Sequence, residues 1–114
     1  RSGHAFVELA RRHGDFAIVG VAAVITLDPQ GVCRQAGIAL AGAGPTPIRA
    51  EAACARLIGE RPTPALLREA AARAGDAAEP DSDLHASAEY RREMAQVLTR
   101  RALEQALGRA QGRS

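Results

Sequence analysis

Residues 15–28 read DFAIVGVAAVITLD, and the reading of this stretch decides the fold. Taken in alternation, Phe16, Ile18, Gly20, Ala22, Val24 and Thr26 share one face. Ala17, Val19, Val21, Ala23, Ile25 and Leu27 share the other. Between the carboxylates of Asp15 and Asp28 no side chain is charged. A strand with one wet face places polar residues at every second position. This one does not, so both of its faces ask for cover. A chain of 114 residues can lay its own helices over one face. The other face calls for something outside the chain.

Upstream of this strand, residues 5–11 alternate Phe6 and Glu8 against Ala5, Val7 and Leu9, which predicts a short strand. Arg12, His13 and Gly14 make the turn between the two. Downstream, Asp28-Pro29-Gln30-Gly31 has turn chemistry, with Pro29 pre-set for the second position and Gly31 closing it. Residues 32–43 then return antiparallel to the long strand, and Gly37 and Gly42 suggest a bulge or a close backbone approach there.

Pro45 and Pro47 end the sheet. From Ile48 the pattern turns helical, with Ala50, Ala53, Cys54, Leu57 and Ile58 on the inner face and Gly59 as the stop. Thr63 and Pro64 cap and open a second helix over residues 65–74, with Leu66, Leu67, Ala70 and Ala74 inward and Gly75 ending it. A polar connector leads to a third helix over residues 87–109. Its inner face carries Tyr90, Met94, Val97, Leu98, Ala102 and Leu107. Its wet face carries Glu89, Arg92, Glu93, Arg100 and Glu104, the last two spaced to pair. Three strands followed by three helices predict an α+β fold: a three-stranded antiparallel sheet followed by a three-helix bundle on one face, in a single domain over residues 1–114.

Composition narrows the function. Apolar residues make up 46% of the chain but aromatics only 3%, so the core is built largely from alanine and must be shallow and close-packed. The fifteen basic residues are all arginine, thirteen acids are interspersed with them, and the net charge is only +2. No aromatics interleave with the arginines, which argues against nucleic-acid binding. The absence of lysine beside abundant Ala, Arg and Gly reads as compositional bias. Cys33 and Cys54 show no metal-ligand spacing and read as free buried thiols of a cytoplasmic protein. No apolar run reaches the length of a membrane span. The N-terminus lacks a signal-peptide core and opens directly into a strand, as a piece of a longer polypeptide would.

No metal site or nucleophile motif is legible. His4, His13 and His85 stand apart from one another, and Gly42-Ala43-Gly44-Pro45 lacks the residues of a phosphate loop. Asp15 is the one acid singled out. It is either a turn residue satisfying backbone donors or a carboxylate accepting an N–H from a bound ring, with Phe6 of the preceding strand covering that ring. The residues alone give a small α+β domain with an apolar sheet face that expects a partner. A non-enzymatic docking module is one way to meet that expectation.

Three blocks, ARRHGDFAIVGVAAVITLD, IALAGAGPTPIRA and DLHASAEYRREMAQVLTRRAL, together resemble the C-terminal domain of the FAD-binding subunit of molybdenum hydroxylases, the xanthine dehydrogenase and carbon monoxide dehydrogenase type. The resemblance covers nearly the whole chain in order. It implies a domain that packs on an FAD-binding domain and helps close the isoalloxazine site. In such complexes a molybdenum cofactor oxidises the substrate, iron–sulfur clusters relay electrons, and the flavin passes them to an acceptor. The match implies that Asp15 lies near the flavin pyrimidine edge, accepting from N3–H, and that Phe6, or else His4, lies by the ring. It implies partners as well: the N-terminal FAD-binding domain of the same subunit, and molybdenum and iron–sulfur subunits. Ala41 and Ala43 depart from a run that is richer in glycine and valine in the family. The glycine-rich pyrophosphate loops belong to the N-terminal domain, so this chain alone is expected neither to hold FAD nor to be active.

Overall fold

A computed structural model of the chain describes residues 1–10, 17–41, 48–77 and 88–112. Strands β1 (Ser2–Ala10), β2 (Ala17–Leu27), β3 (Cys33–Ala41) and β4 (Ile48–Arg49) precede helices α1 (Glu51–Leu57), α2 (Pro64–Ala77) and α3 (Ala88–Ala110). The fold is α+β, with one antiparallel sheet in the order β1-β2-β3-β4.

The sheet therefore has four strands where three were expected. Ile48 and Arg49, read above as the start of a helix, pair with Leu40 and Ala39. Ala50 N–H then donates to the Ile38 carbonyl at 2.9 Å. Two residues are too short a stretch to carry a period, so neighbouring β3, not local pattern, recruits them.

The β2–β3 hairpin forms as the turn residues dictate. Gly31 N–H donates to the Asp28 carbonyl at 3.0 Å, and Gly31 takes φ +84°. The Asp28 carboxylate accepts from the N–H groups of Gln30 and Val32 at 2.8 and 3.0 Å. The expected irregularity at Gly37 is absent: Val24 and Gly37 pair in continuous register. The register shifts fall instead at Leu9/Ala10 and Thr26/Leu27.

One face of β2 is sealed. Val21, Ala23, Ile25 and Leu27 are buried, with Ala5 of β1 and Ile38 and Leu40 of β3 beside them. The helices supply the cover. α3 lies on β1 and β2, α1 lies on β3, and α2 meets both α1 and α3. Thr63 caps α2 as expected, its Oγ1 accepting Leu66 N–H at 3.1 Å. Leu66, Leu67, Ala70 and Ala74 point inward.

Gly75 does not end α2. It lies inside the helix, buried, where a Cβ would stand 3.2 Å from Gln96 Cβ, so it is a close-approach residue between α2 and α3. On α3, Leu98 and Ala102 are buried as expected, but Met94, Val97 and Leu107 are only half-buried. Ala95, Thr99, Leu103, Ala106 and Ala110 carry the deepest contacts. This helix touches the sheet on one side and α2 on the other, so its buried arc is wider than one apolar stripe. Arg56 pairs with Glu69 at 2.9 Å and Arg73 with Glu69 at 3.9 Å, whereas the expected Arg100–Glu104 pair is not seen among the described residues. The Arg56 guanidinium holds the Glu69 carboxyl below its ordinary range, on a wet surface where such a pair adds little stability.

β1 is clamped to α3 at Gly3, where a methyl group would run into backbone atoms of Ala106, Arg109 and Ala110. The Arg109 guanidinium closes the same contact, donating through Nη1 to the His4 carbonyl at 2.6 Å. No helix of the described residues is long and apolar enough to cross a membrane.

Candidate functional site

Residues paired directly across antiparallel strands point to the same side of a sheet. Opposite the helices, the pairing therefore lays out four rows, one of them Glu8, Gly20 and Ala41. Phe6, Ala22, Ala39 and Arg49 form the next, His4, Val24 and Gly37 the third, and Ser2, Thr26 and Gln35 the fourth. Every large apolar side chain that stays exposed among the described residues belongs here or at the rim: Phe6 at 61%, Val24 at 45% and Ile58 at 49%. Polar groups fringe the patch. Arg49 stands at one side, and Ser2 and Thr26 share a hydroxyl hydrogen bond of 2.9 Å at the other. The second face of the sheet is open, with Phe6, Ala22 and Val24 exposed and polar Ser2, His4, Thr26, Gln35 and Arg49 among them.

Ile58 was read as an inward residue of the first helix and is instead exposed. α1 stops at Leu57, and Ile58 turns to extended backbone with ψ 130°. Gly59, at φ +87°, then carries the chain along the edge of β3. There Gly59 N–H donates to the Cys33 carbonyl at 2.8 Å, and Cys33 N–H donates to the Glu60 carbonyl at 2.9 Å. The result is a groove lined by Val24, Gln35, Ala36, Gly37 and Ile58. The signal for it lay in Ile58-Gly59, where a glycine cap leaves the preceding apolar residue outside the helix.

Of the three residues singled out from sequence, two are placed. His4 and Phe6 sit on the open side of β1, opposite Val24 and Ala22 respectively. Asp15 lies outside the described residues. His13 and His85 also lie outside. Among the described residues no group of three metal-ligating side chains is present. Cys33 is buried and Cys54 half-buried, both free, and burial pushes both thiols above their ordinary 9.0.

Phe6 and His4 are exposed, two residues apart on the open side of β1. Phosphate groups need converging N–H donors at a glycine-rich helix start. Among the described residues, α1 opens after Ala50 with acidic Glu51 in its first turn, and α2 opens on Thr63-Pro64 with no free N–H on the proline. Neither start is built for a pyrophosphate.

An antiparallel sheet backed by helices on one face and open on the other defines a small α+β domain. Residues 4–106 match the family model of the CO dehydrogenase flavoprotein C-terminal domain, and the chain belongs to that family. It is 41% identical over 109 residues to the 6-hydroxypseudooxynicotine dehydrogenase complex subunit alpha of Paenarthrobacter nicotinovorans, covering 96% of this chain and 37% of the relative. It is 40% identical over 108 residues to the carbon monoxide dehydrogenase medium chain of Afipia carboxidovorans, covering 95% and 37%. Its structure superposes on a carbon monoxide dehydrogenase of Hydrogenophaga pseudoflava, solved lacking the Mo-pyranopterin moiety of the molybdenum cofactor, with a TM-score of 0.89 at 38% identity, covering 95% of this chain and 37% of that one. The chain thus spans little more than a third of the length of the relatives it matches.

Proposed function

We propose that this chain is the C-terminal domain of the FAD-binding, medium subunit of a molybdenum-containing hydroxylase, forming a single domain over residues 1–114. In this reading it packs on the FAD-binding domain of the same subunit and closes one side of the isoalloxazine site. Iron–sulfur and molybdenum subunits are the further partners, and the setting is cytoplasmic. One observation carries the reading: a family defined by a flavoprotein domain coincides here with an open sheet face that bears exposed Phe6 and His4.

When bound, the flavin supplies the redox chemistry, taking electrons from iron–sulfur clusters and releasing them to an acceptor. The chain's own residues do simpler work. Phe6 offers an aromatic face that keeps water from one side of the ring. His4, two residues along the same strand face, is the alternative ring neighbour. Asp15 would hold the ring at its pyrimidine edge by accepting an N–H, and its charge there would tune how readily the ring takes electrons. The phosphates are held by the glycine-rich loops of the FAD-binding domain, so the chain by itself neither retains FAD nor turns over substrate.

The test is spectroscopic. The complete subunit should purify yellow with FAD bound, and Asp15→Ala should change the flavin potential or its occupancy. A colourless complete subunit overturns the flavin reading. A yellow one whose redox titration is untouched by Asp15→Ala leaves that residue with no part at the ring.

A further inference from the structure

Gly37 leaves a bare position on the open face of β3. Its partner across the ladder is Val24, 45% exposed, and on its other flank stands Ile58, 49% exposed. A Cβ built at Gly37 meets no atom within 4 Å, and its φ is not in the left-handed region. Backbone conformation therefore does not require glycine here, and no intramolecular packing does either. A strand interior with glycine is weakened, because it has more backbone entropy to lose and no side chain to pack. β4 and Gly59–Glu60 close the β3 edge on either side, leaving a groove of about 380 Å³ between them with apolar walls at Val24, Ala36 and Ile58. The two flanking aliphatic side chains and the bare glycine form a hole of the kind a protruding side chain fills.

We propose that this groove is the socket by which the domain docks on the FAD-binding part of its own subunit, receiving an aliphatic or aromatic side chain from it. The identity of the occupant rests on the reading above. The relatives carry almost two thirds of their length outside the matched region, and the matched family is a C-terminal domain, so the complete subunit holds a large body with this face to cover. The described exposed large apolar side chains all fall on this face or its rim, so one interface accounts for all of them. Filling the hole should then leave the domain sound and damage only the docking. Gly37→Val puts a β-branched residue in a strand at a position with open space, which suits the domain itself. Ile58→Ser removes one wall at a position past the helix end.

The experiment uses the complete subunit and needs no flavin signal. Parent, Gly37→Val and Ile58→Ser subunits are heated in a calorimeter and exposed to a low concentration of protease. The parent should melt in one coupled transition. Both variants should melt in two, and should release a fragment the size of this domain about tenfold faster, the factor expected from losing one well-seated apolar side chain. The 114-residue chain carrying Gly37→Val should melt no lower than its parent. Variant subunits that melt as one unit and resist protease like the parent overturn the proposal. So does a parent that already melts in two steps. Sedimentation showing that the variants only dissociate a dimer of subunits assigns the groove to a second copy and overturns it too. A colourless parent with coupled melting that the variants uncouple sinks the flavin reading and keeps the socket. A yellow parent insensitive to both substitutions does the reverse.

Discussion

Thr99 lies in the middle of α3, wholly buried, and its hydroxyl has no hydrogen-bond partner. A threonine in a helix usually returns its proton to the carbonyl one turn back, but here that bond is not made. Replacing the hydroxyl by a methyl in Thr99→Val keeps the shape and removes an unsatisfied buried polar group. Mutational data put the cost of such a group at about 1–3 kcal/mol. Helix propensity is nearly the same for the two residues, and the stiffer χ1 of valine takes back a few tenths. The net expectation is a gain of about 1 kcal/mol, or roughly 4–8 °C in the melting temperature of a domain near this size. Thr99→Ala removes the same hydroxyl but leaves a hole, so it should fall below Thr99→Val by about 1 kcal/mol. Urea unfolding followed by far-UV circular dichroism reads both, provided the slopes stay equal. A Thr99→Val variant less stable than the parent by 1 kcal/mol or more would mean that the hydroxyl is paired in the folded protein, and the reasoning would fail.

Two further outcomes follow from the packing. Gly3→Ala should destabilise by about 1–3 kcal/mol or more, because the methyl meets helix backbone at Ala106, Arg109 and Ala110 and β1 must lift from α3; an unchanged urea midpoint would contradict the close approach. The buried thiols give a pH signature. Both Cys33 and Cys54 ionise above 9.0 in the folded state, chiefly through desolvation, while in the unfolded chain they ionise near 9.0. Above that pH the unfolded state holds fewer protons than the folded one, so stability is fully present below 9 and falls as pH rises through the folded values. A Cys33→Ala variant should lose less stability than the parent between pH 8 and about 10.5, and equal slopes would refute the assignment.

How much was legible beforehand varied along the chain, for physical reasons. The open face was readable because alternation is a local property: residues 15–28 are apolar on both sides, and three helices can blanket only one. The Asp28–Gly31 turn was readable because proline and glycine carry their geometry with them. β4 was not, since two residues have no period and Ile48 and Arg49 are strand only because β3 offers them hydrogen bonds. Gly75 and Gly3 look like ordinary glycines in sequence; only the neighbouring helix reveals that a Cβ has no room at either. Phe6 was singled out from its place on the strand before Asp15 and His4 from family resemblance, and the register places both on the open face.

Sequence by itself determined the class of the fold, the order of its elements other than β4, the hairpin and the family. These depend on local conformational preference and on patterns that survive without knowledge of neighbours. The tertiary structure decided which face of β2 the helices cover, that Ile58 leaves its helix to join the open side, and that Gly37 faces empty space between two exposed aliphatic residues. Those outcomes depend on register and on how closely backbones approach, and both are fixed only when distant segments meet.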